Sequence, residues 1–313
     1  MGGLLTLGEA MVTFTPEQIG SLRHVRSLTA SMAGSEATVA IAVRRLGHPA
    51  TWVSRLGDDE PGELVLDRMR AEDLTLYVRR GPGPTGLMLK ESPRAGARRA
   101  HYYRSGSAAA SLRPDDLPPG LVESAAVLHV SGITMALGES PRHTVRSAVD
   151  RARAAGAMVS FDVNHRRRLW SATDARAHVT ELLPHVDIAF ASVSEARLLL
   201  DGATINVHDL ADALRELGPG AVVVTDGPAG AVVADDHGTV HIPALAATEI
   251  DPFGAGDAFV GGSIAGLLDG MKLADAAALG SAVAAQAVAA PGDWEGLPTR
   301  GELAAARESD IDR

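Results

Sequence analysis

The chain has 313 residues, is 46% hydrophobic, and sets 39 acidic against 29 basic residues for a formal charge of −10. That length and apolar share suffice for a large α/β domain, while the acidic balance and 4% aromatic content offer neither a phosphate-tracking surface nor stacking platforms for bases, so nucleic acid is not an expected partner. The absence of cysteine excludes disulfides, thiol nucleophiles, cysteine-based zinc sites and iron–sulfur clusters, and points to the cytoplasm.

Residues 4–8 read as a first strand. Met1-Gly2 with Thr6 also matches an N-myristoylation pattern, but a strand beginning at Leu4 would bury the neighbours of a lipidated end, and the match is set aside. Ser35 can cap a helix over 36–46 that Gly47 stops, and 51–55 reads as a second strand. Two stretches interrupt the α/β pattern: 11–31, and 86–103, where strand-like 87–90 and 100–103 flank a turn-rich 92–97. They are read as a small β lid inserted into the core. From Val127 onward, strands at 127–131, 158–162, 187–191 and 221–225 alternate with helical patterns at 141–155, 174–183, 195–200 and 207–217. Pro141 suits a first helical turn and Gly156 a helix stop, and the alternation itself signals βαβ units with a parallel sheet. The alanine-rich segment 273–290 is broken by Asp275, Ser281 and Gln286 and reads as a packed helix, so no membrane partner is expected. No linker or repeat divides residues 1–313, which are read as one domain.

Several tempting motifs fail on physical grounds. Gly81-Pro-Gly-Pro-Thr-Gly86 has the glycine spacing of a dinucleotide loop, yet Pro82 and Pro84 have no N–H for a pyrophosphate and no helical pattern follows. The only lysines, Lys90 and Lys272, follow Leu89 and Met271, which rules out a Walker A loop. The 11 histidines show no close pairing of the kind a metal site needs. Gly261-Gly-Ser-Ile-Ala265 misses the nucleophile-elbow pattern and lies inside a predicted helix.

Asp251-Pro-Phe-Gly-Ala-Gly-Asp257 is different in kind: small residues lead a turn into an apolar stretch that runs to Leu268. The first N–H groups of such a helix lack internal partners and together carry roughly +0.5 of an elementary charge, so an anion is favoured there. Small residues at 254–256 let the backbone approach phosphate oxygens closely. A carboxylate at Asp257 beside a phosphate costs Coulomb energy, which makes sense if it accepts the proton of an attacking hydroxyl. The same residues also fit a plain tight turn with an aspartate cap, and this stretch alone does not decide between the two.

Asp251–Asp257 resembles the second signature of ribokinase-like (phosphofructokinase B type) carbohydrate kinases. Met32-Ala-Gly-Ser-Glu-Ala-Thr-Val-Ala40 and Arg55-Leu-Gly-Asp-Asp-Glu-Pro-Gly62 resemble the first, and the likeness runs from Leu4 to about Pro298. The resemblance implies a Rossmann-like, mostly parallel α/β sheet flanked by helices with a small β lid, and ATP and Mg²⁺ as cofactors. Because lids of this kind often also mediate subunit contacts, a homo-oligomer formed through the lid is expected. Within the family, the 2-keto-3-deoxygluconate kinases are the branch resembled by Thr85-Gly-Leu87, Tyr102-Tyr-Arg-Ser-Gly-Ser-Ala108, His129-Val-Ser-Gly-Ile-Thr134, Phe161-Asp-Val-Asn-His-Arg166 and Gly292-Asp-Trp-Glu-Gly296. That branch implies phosphorylation of the primary hydroxyl of a sugar acid; a fructokinase-like kinase of a neutral ketose, or a kinase of another sugar acid, is the alternative.

By the same resemblance, Gly34, Tyr102, Tyr103, Arg104, Arg166 and Asp293 contact the sugar acid, Asp257 is the base, and Gly254, Ala255 and the N–H of Gly256 form the anion hole. ATP is expected along Thr225, Gly227, Ala229 and Gly230 and near Ser192, with Asn164 at its phosphates. Glu195 is expected to act on magnesium through water. A net-acidic protein that binds a carboxylate needs local cations, and the planar fork of arginine suits that task, so Arg104 and Arg166 are the natural candidates. Thr225, Ser192 and Asp162 all fall at predicted strand C-termini, where open α/β sheets bind ligands. Three residues depart from the family pattern: Thr38 stands for asparagine, Met88 for an aromatic residue, and Phe253 for valine or threonine.

Overall fold

A computed structural model describes residues 2–94 and 97–311. β1 (Leu4–Leu7) starts the main sheet; the chain leaves it for β2 (Met11–Pro16) and β3 (Leu28–Ala33) and returns for β4 (Ala50–Leu56) and β5 (Thr75–Arg80). It leaves again for β6 (Gly86–Arg94) and β7 (Ala97–Tyr103). β8 (Val127–Ser131), β9 (Met158–Asp162), β10 (Ile188–Ser192) and β11 (Ala221–Thr225) follow through helical crossovers, and β12 (Ala231–Asp235) with β13 (Gly238–Ile242) forms an edge hairpin. Among the described residues the main sheet runs β13-β12-β11-β10-β9-β8-β1-β4-β5, parallel from β11 to β5 and antiparallel across β11, β12 and β13.

Both faces of this sheet are covered. Alternate side chains enter opposite layers: Ile188 and Phe190 of β10 pack with Ile41, Trp52 and Phe259, while Ala189 and Ala191 pack with Val130, Phe161 and Val222. Strands buried on both faces read as unbroken apolar runs, which is why 221–225 was legible. Chain growth reverses between β1 and β8, and in open α/β sheets ligands bind beyond the strand C-termini at such a switch point.

The expected lid is present as a second sheet in the order β3-β2-β6-β7, with β2 and β6 parallel and the other pairs antiparallel. The turn expected over 92–97 does not hold as read. β6 continues through Arg94 and β7 begins at Ala97, with an irregular register between Glu91 and Arg94; Ala95 and Gly96 lie outside the described residues, as does Met1 of the lipidation match. Ser35 is not a cap either: the helix spans Ser35–Arg45 with Gly34 at its N-cap, and the Ser35 hydroxyl is committed elsewhere. Helices Glu60–Ala71 and Arg300–Ile311 and strands β5, β12 and β13 were not foreseen. No helix among the described residues is long and apolar enough to cross a membrane.

Candidate active site

The turn into helix Ala255–Leu268 is built by close approach. Gly254 has φ +77°, and a Cβ there would lie 2.0 Å from the carbonyl oxygen of Asp293. A Cβ on Gly256, by contrast, would meet no protein atom within 4 Å, so its open side faces ligand space. The amides of Gly254, Gly256 and Asp257 find no hydrogen-bond partner among the described residues, whereas the Ala255 amide turns back to Pro252 O at 3.3 Å. Of the donors expected for an anion hole, those at 254 and 256 are unpartnered, as is that of 257, while the one at 255 is engaged within the protein. Behind the turn, a Cβ on Gly261 would stand 2.5 Å from Ala42 Cβ, so glycine inside this helix lets it press against helix Ser35–Arg45.

Asp257 sits half-buried in the first turn of that helix, where the Ser35 hydroxyl donates to its carboxylate and the Asn164 amide donates to Ser35 Oγ at 2.8 Å. Burial raises the Asp257 pKa above the usual carboxylate range and Glu195 adds to the rise, while Ser35 and Arg166 oppose it. Asn164 holds its place at φ +35°, sparsely populated for a residue with a side chain and of the kind that clusters at functional sites. Sequence reasoning missed Ser35; its position inside the first signature was the available signal.

Three cavities meet at this turn. One is lined by Gly34, Thr38, Met88, Tyr102, Arg104 and Asp293, together with Arg166, Gly254 and Asp257. The second holds Asp162, Asn164, Ser192, Glu195 and Gly254–Asp257. The third runs from Thr225, Gly227 and Gly230 along the apolar residues 244–247 to Ser281, Ala284 and Val288, sharing Ala255 and Gly256 with the second. The three cavities adjoin one another: a polar chamber beside β6 and β7, the space at the 254–257 turn, then an apolar groove.

Arg166 lines the first two cavities and has no carboxylate within ion-pair distance among the described residues. Arg104 is ion-paired with Glu9, but its Nε is buried with no partner while the residue lines the chamber. Asp293 is pushed up to about 6 by burial, against the pull of Lys90. Glu36 was not foreseen as part of this chamber. It accepts hydrogen bonds from the Ser131 and Thr134 hydroxyls, and burial raises it to about 7.

The model of the pfkB family of carbohydrate kinases matches residues 1–300. The chain belongs to this family. It is 33% identical to a 2-dehydro-3-deoxygluconokinase of Bacillus subtilis over 305 residues, covering 96% of this chain and 94% of the relative. It is 35% identical to a 2-dehydro-3-deoxygalactonokinase of Haloferax volcanii over 302 residues, covering 90% and 89%. A fructokinase from Vibrio cholerae, solved in fructose-, ADP- and calcium-bound form, superposes with a TM-score of 0.86 at 26% identity, covering 97% of this chain and 98% of that one.

Two expected contacts of this pfkB kinase are not brought together with the rest. Tyr103 is 62% exposed and lines none of the three cavities: its neighbour Tyr102 points into the chamber, and successive strand residues face opposite sides. Ala229 lies in the short turn Gly227–Ala229 with its carbonyl accepting from His241 Nε2 at 2.8 Å, and it does not line the groove that Gly227 and Gly230 do.

Glu195 faces the second cavity, but its oxygens already serve the protein. Oε1 accepts from the His165 amide at 2.7 Å, and Oε2 accepts from the Ser192 amide and hydroxyl, each at 2.8 Å. Burial first, then the carboxylates of Glu195 and Asp257, hold Asp162 well above its usual range, against the pull of Arg166. No group of three acidic or histidine side chains among the described residues could hold a metal unaided. The donor set therefore fits a magnesium ion that takes its other ligands from phosphate and water.

Proposed function

We propose that this kinase transfers the terminal phosphoryl group of ATP to the primary hydroxyl of a sugar acid, with 2-keto-3-deoxygluconate as the acceptor and its 6-phosphate as the product. The observation that carries the choice of an acid is Arg166: a guanidinium that has no carboxylate within ion-pair distance among the described residues and opens into the chamber it shares with Asp257 and Gly254. The chamber would seat the sugar with its carboxylate toward Arg166 and Arg104 and its hydroxyl at Asp257. Asp257 takes the hydroxyl proton as oxygen attacks phosphorus, and the amides of Gly254, Gly256 and Asp257 meet the charge on the transferring group. The nucleotide lies along Thr225, Gly227 and Gly230 in the apolar groove, its phosphates directed to the turn. Magnesium, when bound near Glu195 and Asp162, would neutralise phosphate charge. The lid side of the chamber, through Met88 and Tyr102, excludes water that would otherwise compete as acceptor.

A coupled ADP-release assay over a panel of sugars tests this reading. The expected kcat/KM for 2-keto-3-deoxygluconate exceeds that for fructose by roughly tenfold to a hundredfold, the worth of a charge-assisted hydrogen-bonded pair. Equal efficiency on fructose would favour the neutral-ketose reading, which the likeness to a fructose-bound fructokinase keeps in view. The names of the two curated relatives differ only in configuration at one carbon, so 2-keto-3-deoxygalactonate belongs in the panel. Arg166→Ala should raise KM for the acid about 10- to 100-fold and change KM for fructose less than about twofold. Equal losses on both substrates would contradict carboxylate recognition by this side chain.

A further inference from the structure

Lys90, one of only two lysines in the chain, sits on β6 at 5% exposure and has no part in the mechanism above. Its Nζ donates to Asp293 Oδ1 at 2.6 Å, stands 3.5 Å from Asp251 Oδ2, and lies 4.4 Å from the centre of the Phe253 ring. Asp251 in turn accepts from the amides of Phe253 at 3.3 Å and Gly292 at 3.2 Å, and Gly254 rests on the Asp293 carbonyl. One ammonium therefore ties together the lid strand, the loop leading into the anion turn, and segment 292–293. Two buried carboxylates brought this close repel unless a cation bridges them. A compact ammonium with three donors can meet both carboxylates and a ring face from one point. Phe253, one of the three residues that depart from the family pattern, forms the wall against that ammonium.

We infer that Lys90 is a positioning residue for phosphoryl transfer, holding the anion turn and the sugar-facing Asp293 in one arrangement with the lid strand. The inference rests on the sugar-kinase reading, through the place of Asp293 in the sugar chamber. Lys90→Met keeps the length and removes the charge; kcat should fall about 10- to 100-fold, as for a small misplacement of reacting groups, with KM for ATP within about threefold. Asp293 faces Lys90, Asp251 and Glu295. Arg98, whose guanidinium stands 3.9 Å from Asp251, is the other cation at this cluster. Without the ammonium, burial and the two carboxylates lose their main opposition, so Asp293 binds its proton at higher pH, and sugar KM should begin to rise on the acid side at higher pH than in the parent. Lys90→Arg restores the charge and should move that rise back toward the parent position, a readout that mere loosening of the fold would not give.

A parent-like kcat with an unmoved sugar-KM profile in Lys90→Met overturns the inference. If Lys90→Met does not melt cooperatively, Phe253→Val decides: a severalfold loss of kcat at a parent-like melting temperature supports the inference, and a parent-like kcat overturns it. A parent enzyme that phosphorylates no sugar sinks the sugar-kinase reading and the inference together, whereas an active parent with unaffected variants sinks the inference alone.

Discussion

Asp257→Asn should lower kcat by about two to four decades while KM for sugar and for ATP stays within about threefold. The substitution keeps an oxygen for the Ser35 hydroxyl and changes the volume little, so the chamber is preserved and only proton acceptance is lost. The pH profile separates this from a general defect. A base works deprotonated, so kcat is full above its pKa in the complex and falls as pH drops through it. Burial and Glu195 raise the Asp257 pKa, so the acid limb of the parent should lie above the ordinary carboxylate range, and the variant should lose that limb. Steady-state kinetics from acid to neutral pH on both proteins check this; a variant with parent-like turnover would remove Asp257 from the chemistry.

Gly254→Ala should be nearly as damaging, by a different route. At φ +77° an alanine is strained, and its methyl would overlap the Asp293 carbonyl, 2.0 Å away, which is backbone and cannot swing aside. The cost is about 1–3 kcal/mol of folding stability, and pushing the anion turn off segment 292–293 should cost kcat on the order of a hundredfold or more. Thermal melting with single-turnover kinetics distinguishes the two effects. A variant with parent-like stability and turnover would show that the close approach is not needed.

How much of this was legible in the sequence depended on range. A parallel strand such as 221–225 announces itself because burial on both faces demands a near-continuous apolar run. β5 and β13 lie at the sheet edges with exposed polar positions and lack that signature. The turn at 254–257 and the helix it leads into were legible because its small residues and aspartate are contiguous, while that stretch alone left an anion site and a plain capped turn both open. Ser35 and Asn164 were harder: the Ser35–Asp257 bond spans 222 residues and the Asn164–Ser35 bond 129, distances no local pattern reports. The same holds for Lys90, visible in the sequence only as a lysine in the wrong place for a Walker loop. Tyr103 shows the opposite error, since β alternation next to Tyr102 already argued against both entering one chamber.

Product analysis tests the central claim most directly. The enzyme with ATP, magnesium and 2-keto-3-deoxygluconate, followed by proton-coupled phosphorus NMR, should yield a phosphomonoester coupled to the two protons of the sugar's primary carbon, one per ADP formed. Inorganic phosphate beside unmodified sugar, or no ADP with any sugar acid, would contradict transfer from the anion turn to an alcohol held at Asp257.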